Sequence, residues 1–178
     1  MAADLNLLVP AFKEKVIQLL ESCNDAGFKM IPTETIRTPV RQAQLWRQSR
    51  TRSVIQQKIA DLQDREAGFL AQCIIDAGPQ NGDHVTNSIP GLSWHQWGES
   101  VDCVWIVNGE EEWSVTKLVN GQNGYHVYAG MAKELGLTAG GFWTSFKDWP
   151  HVQLHQAANP AGDFTLKQIN DIMKERFS

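Results

Sequence analysis

Apolar side chains recur at helical spacing directly after Pro10. Phe12, Val16, Leu19, Leu20 and Cys23 share one face, and Gly27 closes the segment. This spacing predicts an amphipathic helix of about four turns that packs its stripe into a core. A second stripe runs from Ser53 to about Ala77 through Ile55, Ile59, Leu62, Phe69, Leu70, Cys73 and Ile74. It predicts one long or broken helix, with Gly68 as its weak point. The period then changes: Val101 to Val107 alternates and is rich in valine, which predicts a strand ended by Asn108 and Gly109. The run Glu110, Glu111 and Glu112 after it reads as a solvated turn. Two more helices are predicted, one from Gly124 to Leu137 stopped at Gly136, and one at the end of the chain with Leu166, Ile169, Ile172 and Met173 on one side. Helices with a few short strands and no βαβ repeat predict an α+β fold. No internal repeat and no low-complexity tract interrupts the pattern.

Composition narrows the range of functions. A chain of 178 residues, 42% of them hydrophobic, is expected to form a single domain over residues 1–178. Charged residues make up 20% with a net charge of −4, so no basic footprint for nucleic acid is present and a small or neutral partner is expected. No run approaches the roughly 20 apolar residues that cross a bilayer, and "MAADLNLLVPAFKEK" lacks a cationic region followed by a long apolar core. Neither membrane insertion nor a Sec-type export signal is therefore expected. Cys23, Cys73 and Cys103 stand in dissimilar contexts and read as small buried apolar residues of a protein made in a reducing compartment.

Two stretches hold residue types that carry chemistry. In "SWHQWGESVDC", His95 and Asp102 stand seven apart around the loop glycine Gly98; in "FWTSFKDWPHVQL", Asp148 precedes His151 by three, and Pro150 prevents a regular strand between them. A zinc enzyme that hydrolyses amides needs three protein ligands, an open position for water and a nearby carboxylate to take the water's proton. His95, Asp102, His151 and Asp148 would supply that set, although a histidine beside an aspartate also serves as an ordinary structural hydrogen bond. His155 lies in extended chain after Pro150 and is not expected to be a ligand. His84 and His126 read as surface or packing residues. Trp94, Trp97, Trp105, Trp143 and Trp149 crowd the two stretches, where stacking on a sugar or peptide and core packing are both open.

A family resemblance joins these stretches. "VTNSIPGLSWHQWGESVD", Val85 to Asp102, resembles the S-x-H-x-x-G-x-A-x-D signature of the D,D-peptidase and Hedgehog-like zinc peptidases, with the preceding V-T-N and P-G of that group. "GLTAGGFWTSFKDWPHVQ", Gly136 to Gln153, is similar to its G-L-x-x-G-G-x-W…D-x-P-H-x-Q block. "TIRTPVRQAQLW" resembles R-[ST]-x-x-x-Q-x-x-L-[YW] of the L-alanyl-D-glutamate endopeptidase branch, which includes phage endolysins and bacterial wall-remodelling enzymes. Arg37, Thr38, Gln42, Leu45 and Trp46 stand at the matching positions.

The resemblance implies a Hedgehog/D,D-peptidase-like α+β fold, a small antiparallel sheet flanked by helices. It implies one Zn2+ held by His95, Asp102 and His151, with Asp148 as general base and Arg37 as the cation on the scissile carbonyl or oxyanion. Ser93 and Gln42 are implied near the substrate. The implied activity is cleavage of peptidoglycan stem peptides between L-Ala and D-Glu, with a D,D-carboxypeptidase of the same fold as the alternative and a non-catalytic zinc-binding module as a third reading. Arg37 and Asp148, needed only for chemistry, argue against the third. A monomer is expected, made in the cytoplasm and acting in the periplasm or cell wall after holin-like release or lysis. No stretch after the motifs resembles a wall-binding module. Two departures stand out: Ser100 replaces the family's alanine, and the interval from Arg37 to His95 is long, the excess falling on the Ser53 to Ala77 stretch.

Overall fold

Pro10 at the first helical position starts α1 (Pro10–Asp25), and Phe12, Val16, Leu19 and Cys23 are all buried along one side of it, as the stripe predicts. The computed structural model describes residues 2–178. They form two compact units, each built from two stretches: the chain up to Ile36 with Trp97–Gln156, and Arg37–Gln96 with Ala157–Ser178. Among the described residues six α-helices accompany one antiparallel sheet, the α+β class expected. No helix is long and apolar enough to cross a membrane.

The first unit holds the whole sheet. β1 (Lys29–Glu34) pairs with β2 (Ser100–Val107), which also pairs with β3 (Glu110–Glu112) and with β5 (His151–Gln153); β4 (Thr138–Ala139) extends the sheet beside β5. Val101, Cys103, Trp105 and Val152 point into the same buried cluster as the α1 stripe, together with Tyr125 and Tyr128 of α5 (Gly124–Glu134). Asn123 caps α5: its carbonyl oxygen accepts from the Tyr125 and His126 N–H groups while its amide donates to the Ser114 and Lys117 carbonyls.

The glutamate run corrects one expectation. Asn108 and Gly109 do end β2, but both have left-handed φ, 54° and 88°, and such a two-residue link turns the chain straight back into a hairpin. Glu110, Glu111 and Glu112 are therefore the edge strand β3, opposite Val107, Ile106 and Trp105, rather than a solvated turn.

The second unit is helical: α2 (Pro39–Arg47), α3 (Arg52–Asp64), α4 (Gly68–Asp76) and α6 (Leu166–Phe177). Thr38, Thr51 and Thr165 cap α2, α3 and α6, the last through a capping box with Gln168. The Ser53 to Ala77 stripe is broken rather than continuous, with Glu66 at φ 56° between α3 and α4. No side chain of its own caps α4. Asn170 of α6 supplies the missing acceptor, its carbonyl oxygen taking the Phe69 and Leu70 N–H groups at 2.8 and 3.2 Å.

Candidate metal centre

Asp102 and His151 are direct partners in the β2–β5 ladder, and Ser100 is opposite Gln153. Opposed residues of an antiparallel pair project to the same face, so the alternation that buries Val101, Cys103 and Val152 turns Asp102, His151 and Gln153 to the other side. The His151 Nδ1 lies 2.9 Å from Asp102 Oδ1, and its Nε2 lies 3.1 Å from Gln153 Oε1. Burial alone would lower the His151 pKa. The hydrogen bond and charge of Asp102, the charge of Asp148 and the contact with Gln153 outweigh it and hold the imidazole above its ordinary value.

The Asp148 loop packs on a pair of glycines, and its charge acts on His151. The Asp148 N–H donates to the Gly140 carbonyl at 3.1 Å, and the His151 N–H donates to the Asp148 carbonyl at 3.2 Å across Pro150. A Cβ on Gly141 would come within 2.3 Å of the Trp149 ring, so the G-G pair is there for close approach. Trp149 also stacks on His126, with ring centroids 4.3 Å apart, which gives that histidine the packing role expected of it.

His95 lies in the 3-10 turn Trp94–Trp97, which leads into β2. Ser93 sets up that turn, its hydroxyl accepting from the His95 N–H at 3.4 Å and its carbonyl from the Gln96 N–H at 3.0 Å. Arg37 starts from the same place, its N–H donating to the His95 carbonyl at 3.3 Å. Its guanidinium donates to Gln42 Oε1 at 3.0 Å; that oxygen also accepts from Gln96, and the Gln42 amide donates to the Ser88 carbonyl. Gln42 is wholly buried, so it orients Arg37 from behind, whereas the sequence reading set it at the substrate.

Each of His95, Asp102 and His151 offers one ligand atom, and these atoms all lie within 4.8 Å of one another. Two imidazoles and a carboxylate, without thiolate, are a donor set suited to zinc in a catalytic rather than a structural role. The three cysteines are free and buried, as expected. The Nε2 of His155 lies 3.0 Å from Glu99 Oε2, and His84 contacts Arg50 on an exposed surface. Trp94 and Trp105 are core residues, which decides two of the five tryptophans; Trp97, Trp143 and Trp149 are half-buried. Ser100 is wholly buried, and its hydroxyl finds no hydrogen-bond partner among the described residues. Sequence reasoning gave Gln153 no role. Its signal was the two-residue spacing from His151, which in a strand means the same face.

Residues 86–154 match the model of a peptidase M15 family described as D-alanyl-D-alanine carboxypeptidase. The peptidoglycan L-alanyl-D-glutamate endopeptidase CwlK of Bacillus subtilis (strain 168) is 25% identical over 150 residues, 83% of this chain and 73% of CwlK. Among solved structures, the L-Ala D-Glu endopeptidase ChiX of Serratia marcescens aligns with a TM-score of 0.49 at 18% identity, over 85% of this chain and 83% of ChiX. A variant of the vancomycin resistance D,D-pentapeptidase VanY, in complex with Zn(II), aligns with a TM-score of 0.45 at 14% identity, over 96% of this chain and 84% of VanY.

Proposed function

We propose that this chain, whose residues 86–154 carry the M15 peptidase match, is a zinc peptidase that cleaves peptidoglycan stem peptides between L-Ala and D-Glu. The observation that carries this reading is the His95, Asp102 and His151 group, with the charge of Asp148 acting on His151. The choice of bond leans on the similarity to CwlK, which extends well beyond the matched family segment.

In this reading His95, Asp102 and His151 hold one zinc ion. When bound, zinc supplies the Lewis acidity that brings the pKa of an attacking water to about 7. Asp148, whose charge acts on His151, would take the proton of that water and hand it to the leaving amine. Arg37, aligned by Gln42, offers a permanent positive charge to the carbonyl oxygen as negative charge develops there. Ser93 holds the His95 turn and so acts through a ligand. The substrate lies outside the inner membrane, and holin-like release or lysis would deliver a monomeric enzyme of the endolysin kind.

A D,D-carboxypeptidase is the second reading, favoured by the description of the matched family. Digestion of purified muropeptides followed by mass spectrometry separates the two. The endopeptidase yields disaccharide-L-Ala and a free peptide beginning with D-Glu from a tetrapeptide substrate. Loss of one D-Ala from a pentapeptide, with tetrapeptide resistant, would replace the first reading by the second.

A further inference from the structure

We infer that Gln153 is a positioning residue that decides which nitrogen of His151 faces the metal, an inference that rests on the zinc reading above. The argument starts from a backbone carbonyl. The Gln153 amide nitrogen lies 2.8 Å from the His155 oxygen, and a carbonyl can only accept, so the NH2 of Gln153 must point there. The amide oxygen is thereby turned to His151 Nε2, 3.1 Å away. An amide oxygen also only accepts, so Nε2 must carry a proton. The nitrogen left to offer its lone pair to a bound zinc ion is Nδ1, which sits 2.9 Å from Asp102 Oδ1, the other proposed ligand on these strands.

The two nitrogens of a histidine are chemically distinct, and the hydrogen bond made by one sets the work of the other. Gln153 is 1% exposed, which leaves the amide little access to bulk water and strengthens its hold on the orientation. Its place is set by the ladder: Gln153 is opposite Ser100 as His151 is opposite Asp102, so one pair of strands supplies two ligands and the residue that orients one of them. Gln153 touches neither substrate nor metal in this account. It acts on His151, and through it on the affinity for zinc.

The test reads tautomers and metal affinity as well as turnover. In protein labelled with 15N-histidine, long-range 1H–15N correlations should show His151 protonated at Nε2 when zinc is bound. Gln153→Leu should weaken zinc binding, measured by chelator competition, by roughly 10- to 100-fold. Gln153→Glu keeps an oxygen toward Nε2 but loses the donor to the His155 carbonyl, so its zinc affinity should lie between those of the parent and the leucine variant. A zinc-loaded parent with His151 protonated at Nδ1 would overturn the inference without any variant, as would a folded leucine variant with unchanged tautomer and zinc affinity. A parent that binds no zinc would instead remove the functional reading on which the inference rests.

Discussion

A Cβ placed on Gly140 would lie 2.4 Å from the backbone oxygen of Asp148. The missing side chain is thus what lets the Asp148 loop settle, and Gly140→Ala must push the carboxylate outward. Overpacking of this kind costs about 1–3 kcal/mol of stability. Turnover should fall by about 10²-fold or more, since a shift near 1 Å is enough to spoil catalytic geometry. Zinc affinity should fall less than turnover, because the only proposed ligand bonded to the shifted carbonyl is His151, through its backbone N–H. Muropeptide assays with metal analysis of the same sample check both halves, and unchanged turnover would sink the role given to Asp148.

Asp148 and Asp102 are both carboxylates beside His151 with different assignments. Asp148→Asn should keep zinc and fold while losing about 10² to 10⁴ in rate. Asp102→Ala should lose zinc affinity together with turnover. Metal analysis, chelator titration and single-turnover rates on the two variants distinguish the assignments; an Asp148→Asn enzyme that turns over like the parent would transfer the base role to another carboxylate.

Ser100 buries a hydroxyl with no partner among the described residues, two positions before a proposed ligand. Ser100→Ala, the residue usual in the family, should therefore raise stability by about 1 kcal/mol, since an unsatisfied buried polar group is removed with little change of shape. Denaturant unfolding measures the gain. Lower stability would mean that the hydroxyl finds a partner in solution.

Asn170 closes the start of α4 from a hundred residues away in sequence. Asn170→Leu leaves two backbone N–H groups without their acceptor and should cost about 1–3 kcal/mol. Hydrogen exchange should localise the loss to the amides of α4, and protection unaltered there would refute the cap.

Stability should fall on the alkaline side. Burial pushes Cys23 up to about 12 and Tyr125 to about 12; burial followed by the charge of Asp76 pushes Cys73 to about 11. These folded values lie above those of the unfolded chain. Each group therefore favours the fold fully below pH 9, and that contribution is lost as pH rises through 11 to 12. The denaturant midpoint should drop across that window, and the folded thiols should resist alkylation at pH 8 until the protein is unfolded.

Much of this was legible in the sequence, for identifiable reasons. α1 and β2 carry undiluted periodicity, and each lies against a core that rewards it. β1 was not predicted: Pro32 falls within its six residues, and a proline argues against a strand until its pairing to β2 is seen. β3 was hidden by its charge, although Asn108-Gly109 is itself a hairpin signal. The grouping of His95, Asp102 and His151 was readable because the motifs preserve their spacing. The parts Gln42 and Gln153 play were not, because each depends on a carbonyl distant from it or outside its motif, Ser88 for one and His155 for the other.

The acidic edge strand has a consequence for how molecules of this protein meet. β3 pairs with β2 on one side, and three successive glutamates line the remaining edge of a sheet. A second copy approaching to add its own strand there would set carboxylate against carboxylate, and the short length offers few backbone bonds in return. At neutral pH this edge disfavours sheet growth between neighbouring copies.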